Sequence, residues 1–242
     1  MHTTPDIPSL LAIGTATFLF AGLVKGTIGL GLPTVAMGLL GLVLPPPTAA
    51  TVLLVPSFVT NAWQMLDGGG AGAGLGALLR RLWPMLAGVV AGTLAGSWSI
   101  GLAWPGAGAA LGAALALYGL VGLLGLRLAA EPVKAVWIGP AVGLATGLVT
   151  AATGVFVLPA VPYLQALGLG KDGLVQALGL SFTVSTVALG LGLMQAQGLD
   201  APLLGLSVLA LLPSGAGMWL GQVLRARVSE AAFRTVFFAG LL

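Results

Sequence analysis

Apolar residues run along the chain in stretches of about 13 to 24 positions, and the polar positions gather in the short gaps between them. Divided at prolines, glycines and charges, the pattern predicts ten helical segments. They lie at residues 9–24, 27–44, 48–66, 83–101 and 106–126, then 135–149, 154–168, 173–196, 202–223 and 230–242. Several reach the roughly 18–20 residues that a membrane-spanning helix needs. Segments one and two, and six and seven, are short. About 16 helical residues rise roughly 24 Å, against about 30 Å of hydrocarbon. Each pair is either two short tilted spans or a re-entrant hairpin turning near the midplane, one from each face. The hairpin is the favoured expectation.

Composition agrees with the pattern. Of 242 residues, 58% are hydrophobic and 6% charged, where a soluble domain carries about a quarter charged residues. Too little charge remains to coat a watery surface, so the predicted fold class is an all-α, polytopic membrane protein in a lipid bilayer. The net charge of +3 is too small for a nucleic-acid surface. No cysteine is present, and the only histidine is His2. Disulfides, thiol catalysis and thiolate metal sites are excluded, and neither a metal nor a cofactor is expected. "MHTTPDIPSLL" has no Lys or Arg before its apolar run. It does not read as a cleaved leader, so the first stretch is expected to stay in the protein.

The charges sort the loops. Arg80 and Arg81 lie between segments three and four, Arg127 and Lys134 between five and six. Lys171 lies between seven and eight, and Arg225 and Arg227 between nine and ten. Ten spans place all of these on one face. The other face receives Asp6, the turns "LPPPT" and "LAWPGAG", and "GLDAP" with Asp200. The positive-inside rule then puts both termini on the periplasmic side of a bacterial inner membrane. Only Lys25 and Arg234 fall within segments, and Arg234 is near enough to an end to snorkel.

The halves resemble each other. "GLVKG" at Gly22 answers "GLATG" at Gly143, and "SFVTNA" at Ser57 answers "SFTVST" at Ser181, at nearly equal offsets. Each half, 1–129 and 130–242, holds five segments of one integral membrane domain. An odd count turns the second half over, which predicts an inverted repeat with broken or re-entrant helices.

The stretch "GLVKGTIGLGLP", from Gly22 to Pro33, interrupts the first pair. Non-helical backbone at membrane depth is tolerated where it is buried in protein or lines a wet cavity. Helices starting near Thr27 and near Thr153 or Gly154 would aim two amide-bearing ends at the centre, a ready anion site. A lysine there costs roughly 2.5–3.5 kcal/mol, which an anionic guest would offset. Alternatively, segment one is a full span and Lys25 marks its cytoplasmic end. Gly88, Gly92 and Gly96 read as helix-packing residues. Gly26, Gly29 and Gly31, clustered with Pro33, read as turn and close-approach positions, while "GTIGLG" lacks the strand and Walker lysine of a nucleotide loop.

Ser57, Thr60, Asn61 and Gln64 share one helical face, and Ser181, Ser185 and Thr186 are their counterparts. They would line the site, or bond neighbouring helices and their own backbone. Gln176 and Gln195 sit near segment ends and are set aside. The candidate substrate-binding set is therefore Lys25, Gly26, Thr27, Gly29, Gly31, Pro33, Ser57, Asn61, Thr153, Gly154, Ser181 and Ser185, with no catalytic or metal-ligating residue.

The stretch from "GLVKGTIGLGLPTVAMG" to "SFVTNAWQ", followed by "GLATGLVTAATGVFVLP", resembles the TauE/SafE sulfite-exporter family of bacterial membrane transporters. The resemblance covers essentially the whole chain. It implies seven or eight spans in two repeats, and movement, usually outward, of small sulfur-containing anions such as sulfite or organosulfonates. The family pattern has a glycine run before a proline in both repeats. Here Thr150, Ala152 and Thr153 stand in the second run, and Gly154 alone precedes Pro159.

The leading function is a secondary transporter working by alternating access, its two halves gating a central anion site. A passive anion channel is the alternative. A membrane-embedded enzyme would need paired carboxylates, a metal cluster or a nucleophile–base pair, and none is spaced for it. No acid lies mid-segment to couple protons. A small anionic substrate is the expected partner, and a homodimer is left open.

Overall fold

The computed structural model of the chain describes residues 7–67, 74–125, 132–225 and 230–242. His2, Asp6, Arg127 and Arg227 lie outside these residues, as do the side chains of Lys134 and Lys171. The described residues form helices α1 (Ile7–Ile28), α2 (Leu32–Leu40), α3 (Pro46–Asp67), α4 (Leu75–Ser99) and α5 (Ala107–Leu123). After these come α6 (Pro132–Thr153), α7 (Ala160–Ala166), α8 (Lys171–Gln197), α9 (Ala201–Leu209), α10 (Leu211–Arg225) and α11 (Glu230–Gly240). Five spans, in α1, α3, α4, α8 and the α9–α10 run, are long and apolar enough to cross a membrane. The fold is all-helical among the described residues and polytopic, as the hydrophobic pattern predicts.

The expected segment lengths need correcting. Neither α1 nor α6 is short: each has 22 residues, a rise of about 33 Å. The short members are α2, with 9 residues, and α7, with 7. Helix α1 continues through Gly26 and Thr27, residues of poor helix propensity, because Gly26 rests against the backbone of α10 and tertiary packing outweighs propensity. The break comes where the chain needs positive φ, at Gly29 (76°) and Gly31 (106°). The second break begins at Gly154 (φ 73°), beyond the expected helix end at residue 149.

Two glycine seams organise the packing. Helix α1 lies along α10, and α4 along α6. A Cβ added at Gly22 would sit 2.2 Å from the Ser214 carbonyl oxygen, and one at Gly217 would sit 2.0 Å from that of Leu19. On the other seam, Cβ atoms at Gly92 and Gly143 would sit 2.3 Å from the Leu144 oxygen and 2.0 Å from the Met85 oxygen. Small residues at four-residue spacing let the backbones touch, and association in lipid rests on such packing. The packing role expected of Gly88, Gly92 and Gly96 is what the structure shows.

Between the seams, α3 packs against α8. Gly179 meets Gln64 and Met65 while Gly190 meets Leu54, so the two helices run antiparallel. Prolines bend this core at specified points. Pro56 has no N–H to give the carbonyl of Val52, and Ser207 of α9 donates to it instead at 2.8 Å. The same hydroxyl accepts from the Val55 amide at 3.0 Å. The α9–α10 run is interrupted at Ala210, just before Pro213, which cannot bond the Leu209 carbonyl.

The loops sort by end. Arg81 donates to the Leu167 carbonyl at 3.0 Å, joining the start of α4 to the end of α7. Arg225, Arg234, Asp172 and Gln165 border a single cavity. At the opposite end, Trp98, Gly101 and Gln195 share another.

Candidate functional site

Lys25 stands in the last turn of α1 and is only 4% exposed. Its ammonium donates to Oδ1 of Asn61 on α3. Asn61 is fully buried, and its Nδ2 donates to the Thr186 hydroxyl of α8 at 3.4 Å. Thr186 donates onward to the Phe182 carbonyl at 2.7 Å. Three helices are thus tied by one chain of donors that starts at a cation. The sequence reading placed the amide-bearing end of a helix beside Lys25, starting at Thr27. The structure corrects this: Thr27 is inside α1, and the nearby terminus is a carbonyl end, whose partial negative charge favours an ammonium.

Gln64 lies one turn beyond Asn61. Its Nε2 donates to the Gly29 carbonyl at 3.0 Å and to the Val175 carbonyl at 3.2 Å. It therefore fastens the first break to both central helices. Lys25, Gly26, Gly29 and Gln64 border one cavity of about 310 Å³.

The hydroxyls nearest the site divide by residue type. Thr60, Thr150, Thr153 and Thr186 each donate to the carbonyl four residues back in their own helix. The restricted χ1 of threonine suits that bond. Ser57, Ser181 and Ser185 are fully buried, and their hydroxyls have no hydrogen-bond partner among the described residues. They lie on α3 and α8, and Ser57 is one turn from Asn61.

The other candidates stand elsewhere. Thr27 donates to the carbonyls of Leu23 at 2.8 Å and Gly221 at 3.3 Å, facing α10. Gly31 caps α2 against Val24 and Phe237, and Pro33 is buried in the first turn of α2. At the second break, a Cβ on Gly154 would sit 2.6 Å from Met37 Cε. The bonds of the two breaks go to different partners. The carbonyl of Gly29 is held by Gln64 at the basic end of α3, while that of Ala152 accepts from Trp104 Nε1 at 3.2 Å in the α4–α5 turn at the opposite end. What meets Lys25 is α3 and α8. Gln64, absent from the candidate set, shares the helical face that picks out Asn61.

Comparison with curated proteins and with solved structures gives no match. The family described as Sulfite exporter TauE/SafE matches residues 14–242, nearly the whole chain. With a multi-helix membrane fold built around a buried cation, the chain belongs to the TauE/SafE sulfite exporter family.

Proposed function

We infer that the chain is a membrane transporter of sulfite-type anions rather than an enzyme, as its family implies. We propose that this chain moves sulfite or a small organosulfonate across the bacterial inner membrane by alternating access around Lys25 and Asn61. The observation that carries the reading is a deeply buried ammonium whose bonded partner is a neutral amide. An oxyanion offers Lys25 a partner that is itself charged, where Asn61 offers only a neutral carbonyl. Once its carbonyl is released, Asn61 still presents an N–H, and Ser57, Ser181 and Ser185 add hydroxyl donors. Several donors around one cation suit a compact group with three oxygens.

The helix pairing supports an inverted repeat of 1–129 and 130–242. Exchanging α1–α5 for α6–α11 converts the α1–α10 pair into the α6–α4 pair and returns α3–α8 and α5–α11 to themselves. Each glycine seam thus joins a helix of one half to a helix of the other. The bodies that rock are then these mixed pairs, sliding along the α3–α8 seam. The positive-inside rule places the end with Arg81 and Arg225 in the cytoplasm.

Melting of the purified protein tests the site. Sulfite at about 100 times its dissociation constant adds about 2.7 kcal/mol of stability, read as a raised melting point that simple carboxylates do not match. Lys25→Ala is expected to fold, by its circular dichroism, and to lose the sulfite-dependent rise. Proteoliposomes carrying Lys25→Ala that move sulfite as fast as the parent would sink the proposal. Flux without saturation or counterflow would mark a channel instead.

A further inference from the structure

The cavity that Lys25 borders continues past it to the basic end of the bundle. Its wall includes Arg225 and Gln222 of α10, Arg234 of α11 and Asp172 of α8. Three cations therefore face one acid across about 310 Å³. They are graded in depth: Arg225 and Gln222 are exposed, Arg234 is half-buried, and Gln64 and Lys25 are buried.

Arg234 is the informative residue. It is the fifth residue of α11 (Glu230–Gly240), close to the helix start. A snorkelling arginine there would turn back toward that start and the water beyond it. Its guanidinium instead lies over the ring of Phe238, one turn further in, with its carbon 5.8 Å from the ring centroid. The stacking holds the planar group inward, next to the cavity, and among the described residues no hydrogen bond takes up the N–H edges of its fork.

We propose that Arg225 and Arg234 form a capture site for a small oxyanion, a sulfite or short-chain sulfonate, at the cytoplasmic end of the path to Lys25. This rests on the transport reading above and adds where cargo is first held and from which side. Guanidinium groups bind such oxygens in pairs, and a cation-lined cleft raises the local anion concentration. Arg225 gathers the anion at the mouth, Arg234 receives it half-way, and Lys25 takes it where water is excluded.

The test is the KM for sulfite measured from each face, in right-side-out and inside-out vesicles carrying the full chain. At low ionic strength, Arg225→Gln and Arg234→Gln are expected to raise KM about tenfold from the basic face, with a far smaller change from the other face. Salt near 1 M, where the Debye length is about 3 Å, should shrink that difference. Arg225→Lys should restore most of the effect, and Arg234→Lys less, because an ammonium lacks the fork. Circular dichroism separates a folded variant from a collapsed one, and the lysine variants serve if a glutamine variant does not fold. A parent-like KM from both faces would overturn the capture site and leave the Lys25 site standing. An equal rise from both faces would overturn it too. A parent that moves neither sulfite nor a sulfonate would remove the transport reading, and this proposal with it.

Discussion

At Asn61 a single amide faces in three directions at once. It accepts from Lys25, donates to Thr186, and stands one turn from Ser57, whose hydroxyl has no partner among the described residues. Asn61→Ala removes the only acceptor shown for the ammonium, and leaving a buried donor unmatched costs about 1–3 kcal/mol, more when it is charged. The variant is expected to melt lower than the parent and to regain a larger share of that loss on adding sulfite than the parent gains. A parent-like melting point with a parent-like sulfite response would contradict the pairing. Much of this was legible beforehand. A lone lysine inside an apolar segment and an asparagine on a polar face both stand out in the pattern. Their bond did not, because 36 positions separate them and no local periodicity reports a contact between helices. Serine and threonine hydroxyls read alike in the sequence, and only the structure shows which stay unclaimed among the described residues.

Helices in this chain are held by repairs as much as by regular packing. Pro56 opens α3 at the Val52 carbonyl, and a serine from α9 closes the gap. Ser207→Ala should therefore destabilise the fold by about 1 kcal/mol. In a Pro56→Ala background, where the helix can supply its own donor, the same change should cost clearly less. Thermal unfolding of the four proteins in one detergent gives the coupling; simple additivity would show that the hydroxyl is not the repair. At this scale the sequence misplaced the first break by several residues. Gly26 and Thr27 look like a helix end when judged by propensity. They remain helical because Gly26 has the Met218 backbone to rest on, a contact with a partner almost two hundred residues away. The glycines past the true end were readable, since positive φ is what glycine permits.

Across the whole molecule, the loop charges and the parity of spans set the expectation that basic loops share an end. The Arg81–Leu167 bond joins the start of α4 to the start of the α7–α8 loop, and Asp172 at the start of α8 shares a cavity with Arg225. The chain lacks cysteine, so single labels report on it cleanly. With the orientation proposed here, Pro105→Cys, in the α4–α5 turn, should react with an impermeant maleimide from outside intact cells. Gly170→Cys, before α8, should react only after permeabilisation, and the opposite result would reverse the assignment of faces. Which helices pair was not readable at all. Both seams use the same four-residue glycine spacing, and spacing alone does not say which groove receives which ridge.

The cross-wise arrangement of those seams has a bearing on assembly. A ribosome finishing the first 129 residues has made one wall of each seam and the mate of neither. Until α6 and α10 emerge, two stripes of bare glycine backbone face lipid with nothing seated on them. The nascent first half is thus an unfinished object in the bilayer, and only the completed chain brings the parts that let it set.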